Sequence, residues 1–294
     1  MKEKILSLKI FAVISAIVVL VASISYYKPF ESNALSQRTY LRYDYSNPNS
    51  SPYQYTISVP DTYFDNTRSS DLFPPNDMVR DYNTAVVRLT SGGTGFIIGQ
   101  NTIVTAAHCV YGNNGLYDFN IEIVGDNNQV LDVITPHYVH IPKIYVDSAT
   151  GMIFHDYALI YVDEDLSDYG MFGMGICLDS YVNNQGNVTV SGFPKNYPSG
   201  YDSSEQGIRF KAVGNITGKT ENNLRLTYNA DTAGGDSGGP VYVNESFVGT
   251  INGYSVSYDY NTVIAIHTQA GNTGVRINFD IMYFCYQNSY LTAV

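Results

Sequence analysis

Three residues carry the clearest chemical potential, a serine, a histidine and an aspartate, each in a short string of its own. Ser237 lies in Asp231-Thr232-Ala233-Gly234-Gly235-Asp236-Ser237-Gly238-Gly239-Pro240, just ahead of the β-prone Val241-Tyr242-Val243. A serine hydroxyl is a weak nucleophile until a base takes its proton and donors receive the developing oxyanion. Glycines at 234, 235 and 238 allow a tight turn whose N–H groups stay unobstructed. A bare Gly-x-Ser-Gly is equally the mark of an ordinary hairpin turn, so the other two strings matter. His108 ends the apolar run Thr105-Ala106-Ala107-His108-Cys109, and Asp156 precedes another in His155-Asp156-Tyr157-Ala158-Leu159-Ile160. A histidine can act as general base, and a buried carboxylate beside it fixes its tautomer and stabilises the imidazolium. His155 should point away from Asp156 on a strand and is assigned no role.

Short apolar or alternating runs separated by turn residues must position these side chains. Residues 85–89, 95–98, 102–105, 121–124, 130–134 and 158–162 read as one set of strands. A polar, glycine-rich connection over 163–175 leads to a second set at 188–191, 210–213, 224–228, 241–243, 247–251, 263–266 and 275–277. Residues 278–291 alternate less and read as a C-terminal helix. His108 and Asp156 fall in the first set and Ser237 in the second, which puts the chemistry in the cleft between them.

Acidic residues exceed basic ones by 11, so the basic patch that phosphate binding needs is missing and a nucleic-acid partner is not expected. Lys2, Lys4 and Lys9 precede an apolar stretch over 10–24 followed by small residues, the pattern of a secretory signal over 1–25. The alternative is a retained single-helix anchor with the rest of the chain outside. Residues 27–70 are polar and rich in Ser, Asn, Tyr and Pro, which reads as a pro-segment (26–71) without core material, or as a plain tether. The globular part is expected over 72–294.

With these strings and their order, the sequence resembles the trypsin/chymotrypsin-like serine proteases over roughly residues 72 to 290. The resemblance implies an all-β fold of two packed six-stranded antiparallel barrels with a C-terminal helix, the first over about 80–165 and the second over about 177–277. It implies a secreted serine endopeptidase with His108 as base, Asp156 as its partner and Ser237 as nucleophile. The N–H groups of Gly235 and Ser237 would form the oxyanion hole. A substrate chain would lie along the cleft as an added strand.

Specificity divides within this resemblance. Asp231, six residues before the serine, matches the aspartate with which trypsin-like enzymes bind Arg or Lys. The wider string, with Ala265-Ile266-His267-Thr268 and Gly274-Val275-Arg276-Ile277, is more similar to the bacterial glutamyl endopeptidases. There Thr232 and His267 would bind the substrate's glutamate carboxylate, and cleavage after Glu, less readily Asp, is the first expectation. Asp236 departs from many members of that group and matches animal trypsin-like enzymes, in which it pairs with the ammonium freed by pro-segment cleavage. Activation by another protease or by self-cleavage near residues 70–72 is therefore expected. The cysteine that often bridges to the position of Cys109 is absent from Gly92-Gly93-Thr94-Gly95-Phe96, so Cys109 is expected to be a buried free thiol. Cys177 and Cys285 remain a geometric option for a bridge.

His137-Tyr138-Val139-His140 has the look of a metal pair, but residues three apart on a strand face opposite sides, and no metal or other cofactor is expected. The sequons at Asn187 and Asn215 carry little information if the source is bacterial. The expected partners are protein or peptide substrates, with no stable membrane association once the signal is removed and a monomeric state. A toxin-like or binding protein on the same scaffold, with a closed cleft, is the rival from another class.

Overall fold

The runs rich in Val and Ile bury their apolar faces by pairing into two sheets, and the computed structural model describes residues 35–60, 79–81, 83–126, 128–148, 153–195, 207–243, 245–251, 254–269 and 271–290. The first sheet has nine strands. From one edge they run Val130–Ile134, Ile121–Val124, Val86–Leu89, Gly93–Gly99, Thr102–Thr105, Ala158–Tyr161, Tyr138–Pro142, Leu35–Asp44 and Tyr53–Pro60. The first six are the strands read from the sequence, in one unbroken series. In the second half, Asn187–Gly192, Phe210–Thr220, Arg225–Tyr228, Thr273–Arg276, Thr262–Gln269 and Pro240–Val243 pair in turn and close back on the first. This is a closed six-stranded antiparallel barrel.

Two apolar cores follow from these sheets. One gathers Val86, Phe96, Ile103, Ile121, Leu159 and their neighbours, and it also takes in Tyr242, Val263 and Ile266 from the second half. The two halves are therefore packed together through buried apolar surface. The other core lies inside the closed barrel around Val190, Phe210, Leu226, Val241 and Ile264. A helix over Phe279–Tyr290 follows the last barrel strand, in agreement with the sequence, and buries Ile281, Phe284 and Cys285 against the first core.

Three elements differ from expectation. Phe247–Ile251 is not a barrel strand but pairs with Tyr254–Tyr258 in a separate hairpin. Tyr138–Pro142 is a further strand of the first sheet that is not among the runs read from the sequence. The largest difference is at the N-terminus, where Leu35–Asp44 and Tyr53–Pro60 form a hairpin joined to the first sheet through Tyr138–Pro142. Tyr40 and Leu41 are buried there, so the expectation that residues 27–70 hold no core material is corrected. The hairpin's apolar contribution comes from tyrosine, whose hydroxyls find partners while the rings pack, and a count of aliphatic residues misses that. The signal over 1–25, and with it the anchor alternative, lies outside the described residues, as does the expected cleavage region at 70–72. No helix among the described residues is long and apolar enough to cross a membrane.

None of the three cysteines forms a disulfide, and all three are buried. Cys177 belongs to the barrel core and Cys285 to the other, so the option of a bridge between them is overturned. Opposite Cys109 stands Gly93: a Cβ there would lie 2.4 Å from the Cys109 Sγ. The thiol fills the space a second side chain would need.

Candidate active site

Strand pairing brings the histidine and the aspartate together. Ala158 sits opposite Thr105, so the turn following Thr102–Thr105 and the turn preceding Ala158–Tyr161 leave the sheet side by side. His108 occupies the first, a single 3-10 turn over Ala107–Cys109. Asp156 follows a matching 3-10 turn over Ile153–His155. One Asp156 oxygen lies 2.6 Å from His108 Nδ1, and the other accepts the His108 backbone N–H at 2.9 Å. Asp156 is buried while the imidazole is partly open to solvent. Burial opposes charge on His108, but the Asp156 hydrogen bond and the neighbouring Cys109 outweigh it, and its pKa is raised. Nδ1 is thereby held as a donor to the carboxylate, which leaves Nε2 as the basic atom.

Ser237 faces the same cleft, a cavity of about 480 Å³ lined by His108, Cys109, Gly235, Ser237, Tyr117, Asp118 and Lys195 among others. The loop carrying it is pinned from both halves. The Thr94 N–H donates to the Ser237 carbonyl at 2.8 Å, and the Gly238 N–H donates to the His267 carbonyl at 2.6 Å. Gly235 has φ 110° and Gly238 has φ 88°. A Cβ on Gly238 would lie 2.0 Å from the Thr94 carbonyl oxygen, so only glycine fits. The N–H groups of Gly235 and Ser237 have no acceptor among the described residues. They are the pair expected to receive an oxyanion.

Asp236, beside the nucleophile position, is fully buried. Its Oδ2 accepts the Ala233 N–H at 2.8 Å, while Oδ1 has no hydrogen-bond partner among the described residues. Burial pushes its pKa up to about 7, against the smaller opposing effect of the Ala233 N–H. A carboxylate in this state is a strong site for a cation.

The expected specificity residues lie near this loop. His267 is completely buried on Thr262–Gln269, with Nδ1 2.5 Å from the Tyr228 hydroxyl and Nε2 without a hydrogen-bond partner. Burial, then the charges of His108 and Arg225, lower its pKa to about 3. The ring is neutral, and the tautomer in which the Tyr228 hydroxyl donates to Nδ1 would carry its proton on Nε2. The Thr232 hydroxyl donates its one proton to Asn272 Oδ1 at 2.7 Å, so in this arrangement it has none to offer the substrate carboxylate expected there. Asp231 is buried as well. Sequence reading missed Tyr228, Asn272 and Arg225, whose guanidinium donates to the Thr268 hydroxyl at 3.2 Å. Their strings look like plain strand and turn, and only the barrel closure sets them against His267 and Thr232.

His155 lines a different cavity, with Arg38, Tyr157 and Asp280. His137 meets Asp163 at 2.7 Å, whereas His140 is buried against Tyr55 at 2.8 Å. Among the described residues no three His, Cys, Asp or Glu side chains gather as a metal site would require.

A closed six-stranded barrel packed against a second antiparallel sheet, with His108, Asp156 and Ser237 at the seam, is the class of the chymotrypsin-like proteases. The profile of the family described as Trypsin matches residues 77–272, and the chain belongs to that family. A "Glutamyl endopeptidase" from Bacillus licheniformis is 28% identical over 170 residues, 55% of this chain and 49% of that protein. An "Extracellular metalloprotease" from Bacillus subtilis is 29% identical over 202 residues, 65% of this chain and 56% of that one. The chain thus spans about half the length of the curated relatives it matches. A solved Glu endopeptidase, in complex with MPD, superposes with a TM-score of 0.58 at 17% identity, covering 74% of this chain and 99% of that one. That likeness speaks for the fold.

Proposed function

We propose that this protein is a secreted serine endopeptidase that cleaves after glutamate, and less readily after aspartate. The observation that carries the catalytic reading is the two-point contact of Asp156 with His108 in the cleft that Ser237 lines. His108 Nε2 takes the proton as the Ser237 oxygen attacks the peptide carbonyl. The oxyanion is received by the N–H groups of Gly235 and Ser237, and the proton passes to the leaving amine. Water, activated by the same imidazole, then hydrolyses the acyl-enzyme.

The glutamate reading rests on the donor character of the pocket. In the tautomer with its proton on Nε2, neutral His267 would be a good partner for a carboxylate and a poor one for a guanidinium. A trypsin-like pocket would instead use Asp231 for Arg or Lys. The reading includes synthesis as a precursor, with a signal over 1–25, a pro-segment that is cut near residues 70–72, and a new amino terminus that pairs with Asp236. The unpartnered Asp236 Oδ1 supports this last step. The relatives' printed names, one extracellular and one a glutamyl endopeptidase, support secretion and the substrate class.

Matched peptides that differ only in having Glu, Arg or Leu before the scissile bond test the reading, with the processed protein and its Ser237→Ala variant. Fastest cleavage of the Glu peptide and a loss of roughly 10⁶-fold in the variant are expected. Preference for Arg would put Asp231 at the pocket floor, and no cleavage of any peptide would favour the closed-cleft rival.

A further inference from the structure

The N-terminal hairpin and the C-terminal helix both lie outside the region that matches the family, residues 77–272. They pack on each other. The Tyr40 ring stacks on Phe284 with centroids 4.3 Å apart, and the Arg38 guanidinium meets Asp280 at 2.6 Å. The Tyr55 hydroxyl lies between His140 Nδ1 at 2.8 Å and Asn288 Oδ1 at 3.1 Å. Along its other edge the hairpin is hydrogen-bonded backbone to backbone, with Tyr40 to Asp44 antiparallel to Pro142 to Tyr138. At the turn, the Tyr45 hydroxyl accepts the Phe119 N–H at 2.5 Å and donates to the Phe119 carbonyl at 2.7 Å.

None of the residues lining the cleft of Ser237 and His108 comes from this hairpin. It meets the surroundings of the chemistry at two places: behind Asp156, where the Tyr40 hydroxyl lies 3.3 Å from that of Tyr157, and at the cleft rim, where the Tyr45 hydroxyl lies 2.8 Å from Asp118 Oδ1. A removable inhibitory segment would be expected to cover the cleft. This one instead completes a sheet, buries a ring in the core and satisfies a buried histidine.

We propose that the hairpin of residues 35–60 is a permanent part of the active enzyme, which, after the cut proposed above near residues 70–72, persists as two chains held together by strand pairing and the Tyr40–Phe284 stack. Processing then acts by freeing a terminus for Asp236, not by removing a cover from the cleft. Strand addition of this kind supplies affinity through main-chain hydrogen bonds, and a buried aromatic anchor slows release. Detaching the hairpin would bare the Tyr138–Pro142 edge and the faces of Phe284 and Tyr157, an exposed strand edge beside apolar surface.

The experiment keeps the cut independent of the proposed activation. A recognition sequence for a site-specific protease is inserted between Asn66 and Thr67 of the full chain carrying Ser237→Ala, and the cut protein is run on size exclusion with and without denaturant. The N-terminal fragment should co-elute with the larger chain in native buffer and separate only in denaturant. Separation in native buffer, with the larger chain retaining its melting temperature, would overturn the proposal. Tyr40→Ala in the cut protein should speed fragment release at least tenfold, whereas Ser50→Ala in the hairpin turn should leave it unchanged. Equal release from both would equally overturn it. Because the wild-type hairpin is measured first, misfolding of the Tyr40 variant would not leave the question open, and a failure of the glutamate or activation reading would leave these outcomes unaltered.

Discussion

The two halves of the molecule bring their polar groups to the cleft in opposite conditions. In the first half, Asp156 spends both oxygens on His108, and the pair is complete within the fold. In the second, Asp236 Oδ1 and His267 Nε2 are buried without hydrogen-bond partners among the described residues. Buried polar atoms that lack partners cost on the order of 1–3 kcal/mol each, and more when charged, so a fold tolerates them where a ligand completes them. On the proposed reading, the His108–Asp156 pair is completed by folding alone, while the pocket is finished by what binds it. On that reading a substrate carboxylate would meet His267 and a freed amino terminus would meet Asp236.

The largest effect should come from breaking the finished pair. Asp156→Asn keeps the shape but removes the charge that holds His108, and kcat should fall by roughly 10⁴-fold. The sign for pH follows from the raised pKa of His108. The working base is the neutral imidazole, so activity rises as His108 loses its proton, and the acidic limb should lie above the usual histidine value near 6.5. In Asp156→Asn that limb should move to lower pH. An unshifted limb in a kcat/KM profile would mean that Asp156 does not set the basicity of His108.

On the unfinished side, His267→Leu should cost the Glu peptide about 10- to 100-fold in kcat/KM relative to a Leu peptide, the worth of one hydrogen bond to a charged group. Equal losses on both peptides would make His267 a core residue only. A Tyr228→Phe variant sharpens the point. If the hydroxyl donates to Nδ1, its removal releases the tautomer, and a smaller loss on the Glu peptide is expected, read in the same assay.

Asp236 can be read before any cut, through stability. Its folded pKa of about 7 exceeds the unfolded value near 3.9, so its contribution is intact below pH 4 and is lost as pH rises through 7. In the uncut chain carrying Ser237→Ala, Asp236→Asn should therefore match the parent at pH 4. At pH 8 it should be more stable, by on the order of 4 kcal/mol at full ionisation. Denaturant unfolding at the two pH values reads this. No gap at pH 8 would mean that Asp236 is already paired before any cut.

The sequence by itself determined the strings around His108, Asp156 and Ser237, the six strands that lead the first sheet and the helix after the barrel. Those features are local: a glycine turn, an apolar alternation or an aspartate before a strand reads the same whatever packs on it. It also placed Thr232 and His267 beside the nucleophile loop, though not the Tyr228 hydroxyl that orients the imidazole. Tertiary structure alone decided the N-terminal hairpin, since Arg38 and Asp280 stand 242 residues apart and the tyrosine-rich strand looks polar until Phe284 arrives beside Tyr40. It decided that Cys177 and Cys285 stay apart, because each is committed to a different core. It decided, too, which buried atoms lack partners, for that depends on every surface that closes around them, and no stretch of sequence contains all of those surfaces.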